Sequence, residues 1–302
     1  MKSLRILIGL LLVFAPQSSE AVTNKTVAFT ADVWADNWFA LYINGKKVGE
    51  DSVPITTQKS FNSETIKFNA TYPLTIGFIA KDYVQSKSGL EYLGTANQQI
   101  GDGGIKFQIR ETASNKLVSV SDSTWKAKVA NTAPLNPECE KSTQPETDCK
   151  FLNTSISSNW SGSSYIDKSW SSAKIFTSDE VGPNEGYFSI NWQNSAQFIW
   201  GNDLKLDNII YLRKKVLTAT SAADGLALLK THTVQVVISD QRMPVLIGSE
   251  FIKKIKKKGG PNRTPSRTRR DLPNDQPILA RRAPGHRHQS VITMRARLQW
   301  IR

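Results

Sequence analysis

Histidine is scarce in this chain, and its scarcity excludes one large class of enzymes. Only three histidines occur among the 302 residues, and two of them, His286 and His288, lie near the C-terminus. His232 is the only one before them, which excludes a Ser-His-Asp arrangement within the first 215 residues. No spacing singles out a carboxylate pair of the kind that hydrolyses glycosides. We therefore expect no catalytic residues and a protein that is not an enzyme.

Cysteine is equally scarce. Cys139 and Cys149 lie ten residues apart in a polar stretch, and no histidine or further cysteine is near them. This spacing does not predict a metal site. In an oxidising compartment two such cysteines close a small surface loop. We expect a disulfide between them and no bound metal.

Long apolar runs are missing apart from a short one near the N-terminus. Lys2 and Arg5 precede an apolar run over residues 6–14, and small residues follow as far as Ala21. This order is typical of a secretory signal peptide, with an N-terminal core helix as the alternative. The run is shorter than the ~20 residues that cross a bilayer. We expect a signal peptide over residues 1–21, a secreted or extracytoplasmic mature chain, and no membrane span.

The positive charge is concentrated at the C-terminal end. The chain has a net charge of +13, and residues 258–302 alone contain one Lys, ten Arg and two Asp, which is +9. That leaves +4 for the residues before them, so the charge does not predict a nucleic-acid-binding fold. The tail shows no apolar periodicity and predicts a disordered, Arg-rich segment over 259–302. The basic residues are mostly Lys before residue 258 and almost all Arg from there onwards, and this abrupt change also fits an out-of-frame translation.

The long middle of the chain shows the pattern of short strands. Alternating apolar runs are separated by Gly, Asn, Asp and Ser clusters, and Asn44-Gly45 is a strong hairpin signal. Regular short strands without intervening helices predict an antiparallel β-sandwich over residues 22–215. We expect strands at 39–43, 65–68, 74–80, 105–110, 117–120, 187–192 and 196–200, and a closing strand within 207–215.

Two motifs in this region carry a resemblance. The segment WADNWFALYINGKKV over 34–48 is similar to the hairpin segment of galactose-binding-like jelly rolls. The segment YIDKSWSSA over 165–173 is similar to a D-x-S-W-x-x-A turn near the end of the same modules. Such modules accompany many secreted glycoside hydrolases, so the resemblance implies a jelly roll that binds a carbohydrate or another polymer.

Five residues of the first motif are candidates for a sugar platform. Aromatic faces stack on pyranose rings, and short polar groups bond their hydroxyls. The alternative is that the tryptophans belong to the sandwich core, where such domains often bury them. The Gly101–Gly104 stretch lacks the repeated oxygen ligands of a calcium loop and predicts a turn. The candidates are Trp34, Asp36, Asn37, Trp38 and Tyr42.

From Val216 the sequence changes from short strands to a helix, a strand and a second helix. Ser221 with Asp224 three residues later predicts a helix start. Residues 234–239 form a β-branched run of the kind buried in a parallel sheet, and residues 248–257 predict another amphipathic helix. These elements form half of a doubly wound α/β domain.

The sequence VISDQRMP over 237–244 makes residues 216–258 resemble part of a response-regulator receiver domain. The resemblance implies that Asp240 is the phosphoacceptor, with a histidine kinase as partner and Mg²⁺ as cofactor if the receiver works. Phosphoryl transfer to a carboxylate relies on that ion. The acidic pair that holds it in the family is missing upstream of Val216, and no further strands are expected after residue 258. We predict that Asp240 is not phosphorylated.

Three hypotheses follow for the whole chain. The first is a secreted, non-catalytic β-sandwich that binds a carbohydrate or polymer, followed by an inactive receiver fragment. The second is a phosphorelay signalling protein with Asp240 as its phosphoacceptor. The third is a fusion or frameshift product without a single function. None of them predicts a nucleic-acid partner, and the first predicts no cofactor.

Overall fold

The computed structural model describes residues 26–57, 62–219, 221–231, 234–239, 248–257, 278–281 and 290–294, which are mostly β-structure. The predicted signal peptide and Asp240 lie outside these residues. The strands are β1 (Val27–Asp36), β2 (Trp38–Ile43), β3 (Lys46–Glu50), β4 (Asn62–Ala70), β5 (Leu74–Lys81), β6 (Leu90–Glu91), β7 (Gln99–Ile100), β8 (Gly104–Glu111), β9 (Lys116–Val120), β10 (Lys126–Thr132), β11 (Leu152–Asn153), β12 (Ser171–Ser172), β13 (Lys174–Phe176), β14 (Phe198–Trp200), β15 (Asp207–Ala219), β16 (Val234–Ser239), β17 (Ile278–Arg281) and β18 (Ser290–Met294). The α-helices are α1 (Pro145–Asp148), α2 (Ser178–Val181), α3 (Ala222–Thr231) and α4 (Gly248–Lys257).

Most of these strands belong to two sheets. The first sheet has the order β13-β14-β8-β1-β4, with β9 also paired to β8. The second has the order β17-β16-β18-β15-β5-β2-β3, with β10 also paired to β15. All pairs are antiparallel except those of β18 with β15 and β16. The predicted mostly-β, antiparallel architecture is therefore confirmed.

The apolar faces of the two sheets share one core. Alternate residues of β1 and β8, such as Val33 and Phe107, face this core and are fully buried. From the second sheet Phe78 stacks on Phe107 with 4.3 Å between the ring centroids. Each large side chain removed from water in this way stabilises the fold by about 1.5–3 kcal/mol. The period-two pattern of the strands thus produces a sandwich-like arrangement.

Asn44 and Gly45 form the tip of the β2–β3 hairpin, as predicted. Their φ angles are 50° and 88°, in the left-handed region that Asn and Gly tolerate. The Asn44 Oδ1 atom accepts a hydrogen bond from the backbone N–H of Thr75 at 2.7 Å. The turn is therefore fixed to the neighbouring strand β5 as well as to its own hairpin.

The D-x-S-W-x-x-A segment forms a buried turn around one arginine. Asp167, Trp170 and Ala173 are all buried. The Asp167 carboxylate pairs with the guanidinium of Arg213 in β15, whose side chain is fully buried. That guanidinium also donates to the backbone oxygens of Trp160 at 2.9 Å and Gly162 at 2.8 Å. The buried turn is therefore attached to strand β15 through Arg213.

A disulfide joins Cys139 and Cys149, as predicted, with their Cα atoms 5.3 Å apart. Both cysteines are buried against Leu90, in a small cluster separate from the main core. The bridge therefore closes residues 139–149 into a loop, and the burial of both cysteines against Leu90 packs this loop against β6.

The structure corrects one predicted strand and shortens another. We predicted a strand over residues 187–192, but Tyr187–Ser189 is a 3-10 turn that opens an irregular segment. Gly182 and Gly186 lie just before it with φ angles of 60° and 80°, which end regular structure. The predicted strand over 196–200 begins only at Phe198. Strands cover the other predicted positions.

The C-terminal elements continue directly from the sandwich. Strand β15 pairs with β5 along residues 209–216 and with β18 along residues 215–219. The expected domain boundary at Val216 therefore falls inside one continuous strand. Helix α3 starts as predicted, because the Ser221 hydroxyl accepts from the Asp224 N–H at 3.1 Å. Leu217, Phe251 and neighbouring residues form a second, smaller apolar cluster.

Two strands in the basic tail contradict the expectation that no strand follows residue 258. Strand β17 pairs antiparallel with β16, and β18 lies parallel between β15 and β16. Both are short aliphatic stretches, Ile-Leu-Ala and Val-Ile-Thr-Met, in an otherwise polar segment. Short β-branched and aliphatic runs can complete a sheet even where the surrounding composition favours disorder. Disorder stays a prediction for the remainder of the tail, which lies outside the described residues.

Among the described residues, no helix is both long and apolar enough to cross a membrane.

Candidate functional site: a polar groove on the first sheet

Trp34, the first candidate for a sugar platform, lies inside the protein. Its side chain is 0% exposed. The indole Nε1 donates to the backbone oxygen of Glu185 at 3.0 Å. Tyr187 and Phe198 pack edge-on against the ring, with centroid distances of 5.8 and 5.7 Å. No ring face of Trp34 is therefore accessible to a ligand.

The other four candidates do not share a surface with one another. Asp36 and Asn37 are buried at the end of β1, whereas Trp38 and Tyr42 are half-buried on β2, in the second sheet. The Lys81 ammonium lies 4.7 Å from the Trp38 ring centroid, and Tyr42 packs edge-on against Trp160. Because the chain changes sheets at Asn37, the aromatic residues on either side of it belong to different layers. In this structure the five residues form no common exposed platform.

Trp34 is covered by a loop that crosses the outer face of the first sheet. This covering loop (residues 182–193) is held by aromatic contacts, with Tyr187 stacked on Trp192 and Phe198. Lys106, which pairs with Trp34 across β1 and β8, donates from Nζ to the Tyr187 hydroxyl at 2.9 Å. The covering loop is therefore attached to the sheet at several points.

A groove of about 480 Å³ lies beside the covering loop. Its floor consists of the outward-facing residues of three adjacent strands. Along each strand these residues alternate with the residues that face the core. It is called the polar groove below, and it is lined by Thr30, Asp32, Thr65, Gln108, Arg110, Thr112, Asn115, Ser189, Ile190, Asn191 and Gln193.

Hydrogen bonds fix the floor of the polar groove. The Asp32 carboxylate accepts from the Thr65 hydroxyl and from Gln108 Nε2, both at 2.9 Å. Gln108 Nε2 also donates to the Asn191 backbone oxygen at 3.2 Å, and Gln108 Oε1 accepts from the Gln193 N–H at 2.8 Å. Gln108 is only 2% exposed. This one side chain therefore joins the sheet to the covering loop, and it sets the shape of the groove before a ligand arrives.

One lining side chain, and one exposed ring that is next to a lining residue in the chain, give the polar groove its chemical character. Arg110 lines it and takes part in no ion pair within the described part of the chain. Phe188, next to the lining residue Ser189, is 81% exposed. A guanidinium with free donors suits a carboxylate or sulfate. An exposed aromatic ring beside polar groups suits the two faces of a sugar.

Sequence reasoning missed the polar groove, although part of its signal is present. Thr30-x-Asp32 and Gln108-x-Arg110 are polar alternations inside apolar strands, and they predict one solvent-facing side. The strand pairing that sets Asp32 opposite Gln108 and Thr30 opposite Arg110 cannot be read from either segment alone.

Searches against protein-family models, curated proteins and solved structures found no match to this chain.

Proposed function

We propose that the protein is a secreted, non-catalytic binding protein that holds a carbohydrate in the polar groove. The observation that carries this proposal is the fixed polar floor around Gln108, next to the covering loop that carries the exposed ring of Phe188. Preorganised donors and acceptors recognise hydroxyl groups without the cost of ordering the site. A single carboxylate, Asp32, lines the groove, whereas glycoside hydrolysis uses two. Binding without hydrolysis is therefore the activity that these residues support.

The ligand class that fits best is an acidic saccharide. Arg110 brings a positive charge into the groove, and Asp32 is already engaged by two donors of the floor. A uronic-acid or sulfated sugar would supply the anion that Arg110 lacks. Charge-assisted hydrogen bonds of this kind are stronger than those between neutral groups.

A glycan array tests this function on the mature chain, residues 22–302. We expect retention on acidic polysaccharides and weaker retention on neutral ones, with signals that fall as salt is added. Silence across both neutral and acidic glycans would refute the proposal.

Phe188→Ala should weaken glycan binding about threefold to tenfold, because the exposed ring loses its stacking contact. The free energy of unfolding should change little, since the side chain is 81% exposed. Phe151→Ala is the matched control, because this ring is 41% exposed, lies under Lys87, and has no lining residue of the groove next to it in the chain. Isothermal titration calorimetry on the three proteins measures the effect. Equal affinities would remove Phe188 from the site.

We further propose that residues 22–215 are a galactose-binding-like jelly roll. The two similar segments support this relation, because both form defined structural elements. The first has a hairpin tip at Asn44-Gly45, and the second forms the buried turn around Asp167 and Trp170.

For residues 216–258 we propose descent from a receiver domain without its chemistry. Helix α3, strand β16 and helix α4 follow in the expected order, and β16 lies in a parallel pair with β18. Strand β18, the parallel neighbour of β16, supplies no acidic pair for Mg²⁺, since no Asp or Glu follows Asp275 in the chain. A phosphorelay role with a histidine kinase remains the second candidate, and a fusion or frameshift product the third. Sequencing the transcript across codons 210–260 tests the third.

Incubation with acetyl phosphate and Mg²⁺ should leave Asp240 unmodified, because the ligands that would hold the ion are missing. Peptide mass spectrometry checks this result. A stable adduct of about 80 Da on Asp240 would favour the phosphorelay hypothesis instead.

A further inference from the structure

Four carboxylates from separate parts of the chain lie at one end of the sandwich, close enough for their charges to act on one another. Asp36 ends β1, Asp82 follows β5, Glu91 lies in β6, and Asp102 lies in the loop before β8. Asp36 pairs with Gly104 across β1 and β8, and the Asn37 N–H donates to the Lys81 oxygen at 2.8 Å. The strand pairing places Asp36 near the loop that contains Asp102, and the hydrogen bond places it near the end of β5, where Asp82 follows. Together the four carboxylates are called the acidic cluster below.

Asp82 is the central residue of the acidic cluster. It is 3% exposed, and neither of its carboxylate oxygens has a hydrogen-bond partner among the described residues. The adjacent N–H of Tyr83 donates to Asn37 Oδ1 at 2.6 Å, and the same N–H offsets part of the rise in the pKa of Asp82. A Cβ atom on Gly101 would lie 2.5 Å from Asp82 Oδ2, so only glycine leaves room for the carboxylate.

A second buried oxygen lies on the strand next to Asp82. The Asp82 N–H donates to the backbone oxygen of Asn208 in β15 at 2.9 Å. The side-chain Oδ1 of Asn208 is itself buried and without a hydrogen-bond partner in the described part of the chain. Buried oxygens left without a partner cost several kcal/mol, so native structures almost always satisfy them.

The electrostatics of the acidic cluster call for a positive charge. Burial raises the pKa of Asp82 well above its ordinary 3.8, and the charges of Asp36, Glu91 and Asp102 raise it further. Burial likewise raises the pKa of Asp36, with Asp102 and Glu91 adding to the effect. Lys205 offsets part of the charge at Asp102, and protons or a bound cation must offset the repulsion that remains at Asp36 and Asp82. Asp102 is exposed and places one edge of the acidic cluster at the surface.

We propose that the acidic cluster is a calcium-binding site. Asp82 and Asp36 are its buried anionic ligands, Asn208 supplies a neutral oxygen, and Glu91 and Asp102 add negative charge. All these groups offer oxygen, the donor that hard cations prefer. The stretch over 101–104, which the sequence predicts to be a turn, places Gly101 against Asp82 and brings Asp102 to the rim.

The proposed shell is not made of carboxylates alone. Within the described residues, no three Asp, Glu, His or Cys side chains are arranged to hold a metal ion by themselves. Calcium takes six to eight oxygens and accepts backbone and amide carbonyls in irregular geometry. Two carboxylates and the Asn208 amide oxygen would supply part of such a shell, and backbone oxygens or water would complete it, whereas a site for zinc needs a closed set of side chains.

Thermal unfolding of the chelator-treated mature protein tests this site. At 10 mM CaCl₂ the wild type should gain about 3 to 10 °C in Tm, as expected for an extracellular site of millimolar or tighter affinity. Asp82→Asn keeps the side-chain shape and removes the charge, so this variant should lose the calcium response. Asp179→Asn, the same change at an exposed position in α2, should keep it. An equal calcium response in Asp82→Asn, or an equal response of the wild type to MgCl₂, would overturn the proposal.

A direct measurement keeps the proposal testable if Asp82→Asn does not fold. The Trp200 ring lies against Gly103, with its nearest atom 2.4 Å from where a Cβ on that glycine would be. Terbium bound at the acidic cluster of the wild type should therefore luminesce on tryptophan excitation, and CaCl₂ should displace it. Absence of luminescence together with no calcium-dependent shift in Tm would overturn the proposal.

Discussion

Arg213→Met should lower the free energy of unfolding by about 3–5 kcal/mol, the cost of leaving a buried charge without its partner. The guanidinium is fully buried and pairs with Asp167. It also satisfies two backbone oxygens in the segment that ends at the buried turn. Methionine fills part of the volume but donates no hydrogen bond, so Asp167 loses its pairing with the guanidinium and the two backbone oxygens lose this donor. Urea unfolding monitored by tryptophan fluorescence measures the change.

An exposed ion pair provides the control for Arg213. Lys47 and Glu50 form a pair at 2.9 Å with both side chains more than 40% exposed. Lys47→Met should change the free energy of unfolding by less than about 1 kcal/mol, since surface pairs contribute little. Similar losses for Lys47→Met and Arg213→Met would contradict the role given to the buried turn.

Trp34→Ala should cost about 3–5 kcal/mol of stability, the range for removing a large aromatic side chain from a core. Trp34 is 0% exposed and packs against Tyr187 and Phe198. Its loss would also release the hydrogen bond that attaches the covering loop at Glu185. The same unfolding experiment measures the effect.

Trp38→Ala is the comparison for Trp34, because this half-buried ring lies under Lys81 on the second sheet. Trp38→Ala should lower the free energy of unfolding clearly less than Trp34→Ala does. If Trp34→Ala left stability unchanged and abolished glycan binding, the residue would belong to a ligand platform and the burial argument would fail.

The sequence was informative wherever a local rule decides the structure. Asn44-Gly45 predicts its hairpin because both positions need a positive φ. The capping residue Ser221 predicts the start of α3 for a similarly local reason. Cys139 and Cys149 predict their bridge because the chain offers no other cysteine.

The sequence misled where tertiary contacts override a local pattern. Tyr187, Ile190 and Trp192 suggest a strand, but none of the described strands pairs with them. Gln108 and Lys106 instead hold this segment as a loop over the sheet. The motif around Trp34 looked like a ligand platform because its sequence does not reveal that this loop covers it.

The two candidate sites depend on strand register, which the sequence does not specify. The polar groove requires Asp32 to lie opposite Gln108, and the acidic cluster requires Asp36 to lie opposite Gly104. Shifting the register by one residue would move each side chain to the other face of the sheet. Neither site can be predicted from the sequence without knowing how β1 pairs with β8.

Titration of the mature protein with uronic-acid and sulfated oligosaccharides tests the proposed function most directly. The wild type should bind, and Arg110→Gln should bind about tenfold more weakly or worse, because a charge-assisted hydrogen bond is lost. Lys46→Gln removes the same charge from the exposed start of β3 and should leave the affinity unchanged. Absence of binding by the wild type, or equal affinities for the wild type and Arg110→Gln, would contradict the assignment of the polar groove as the ligand site.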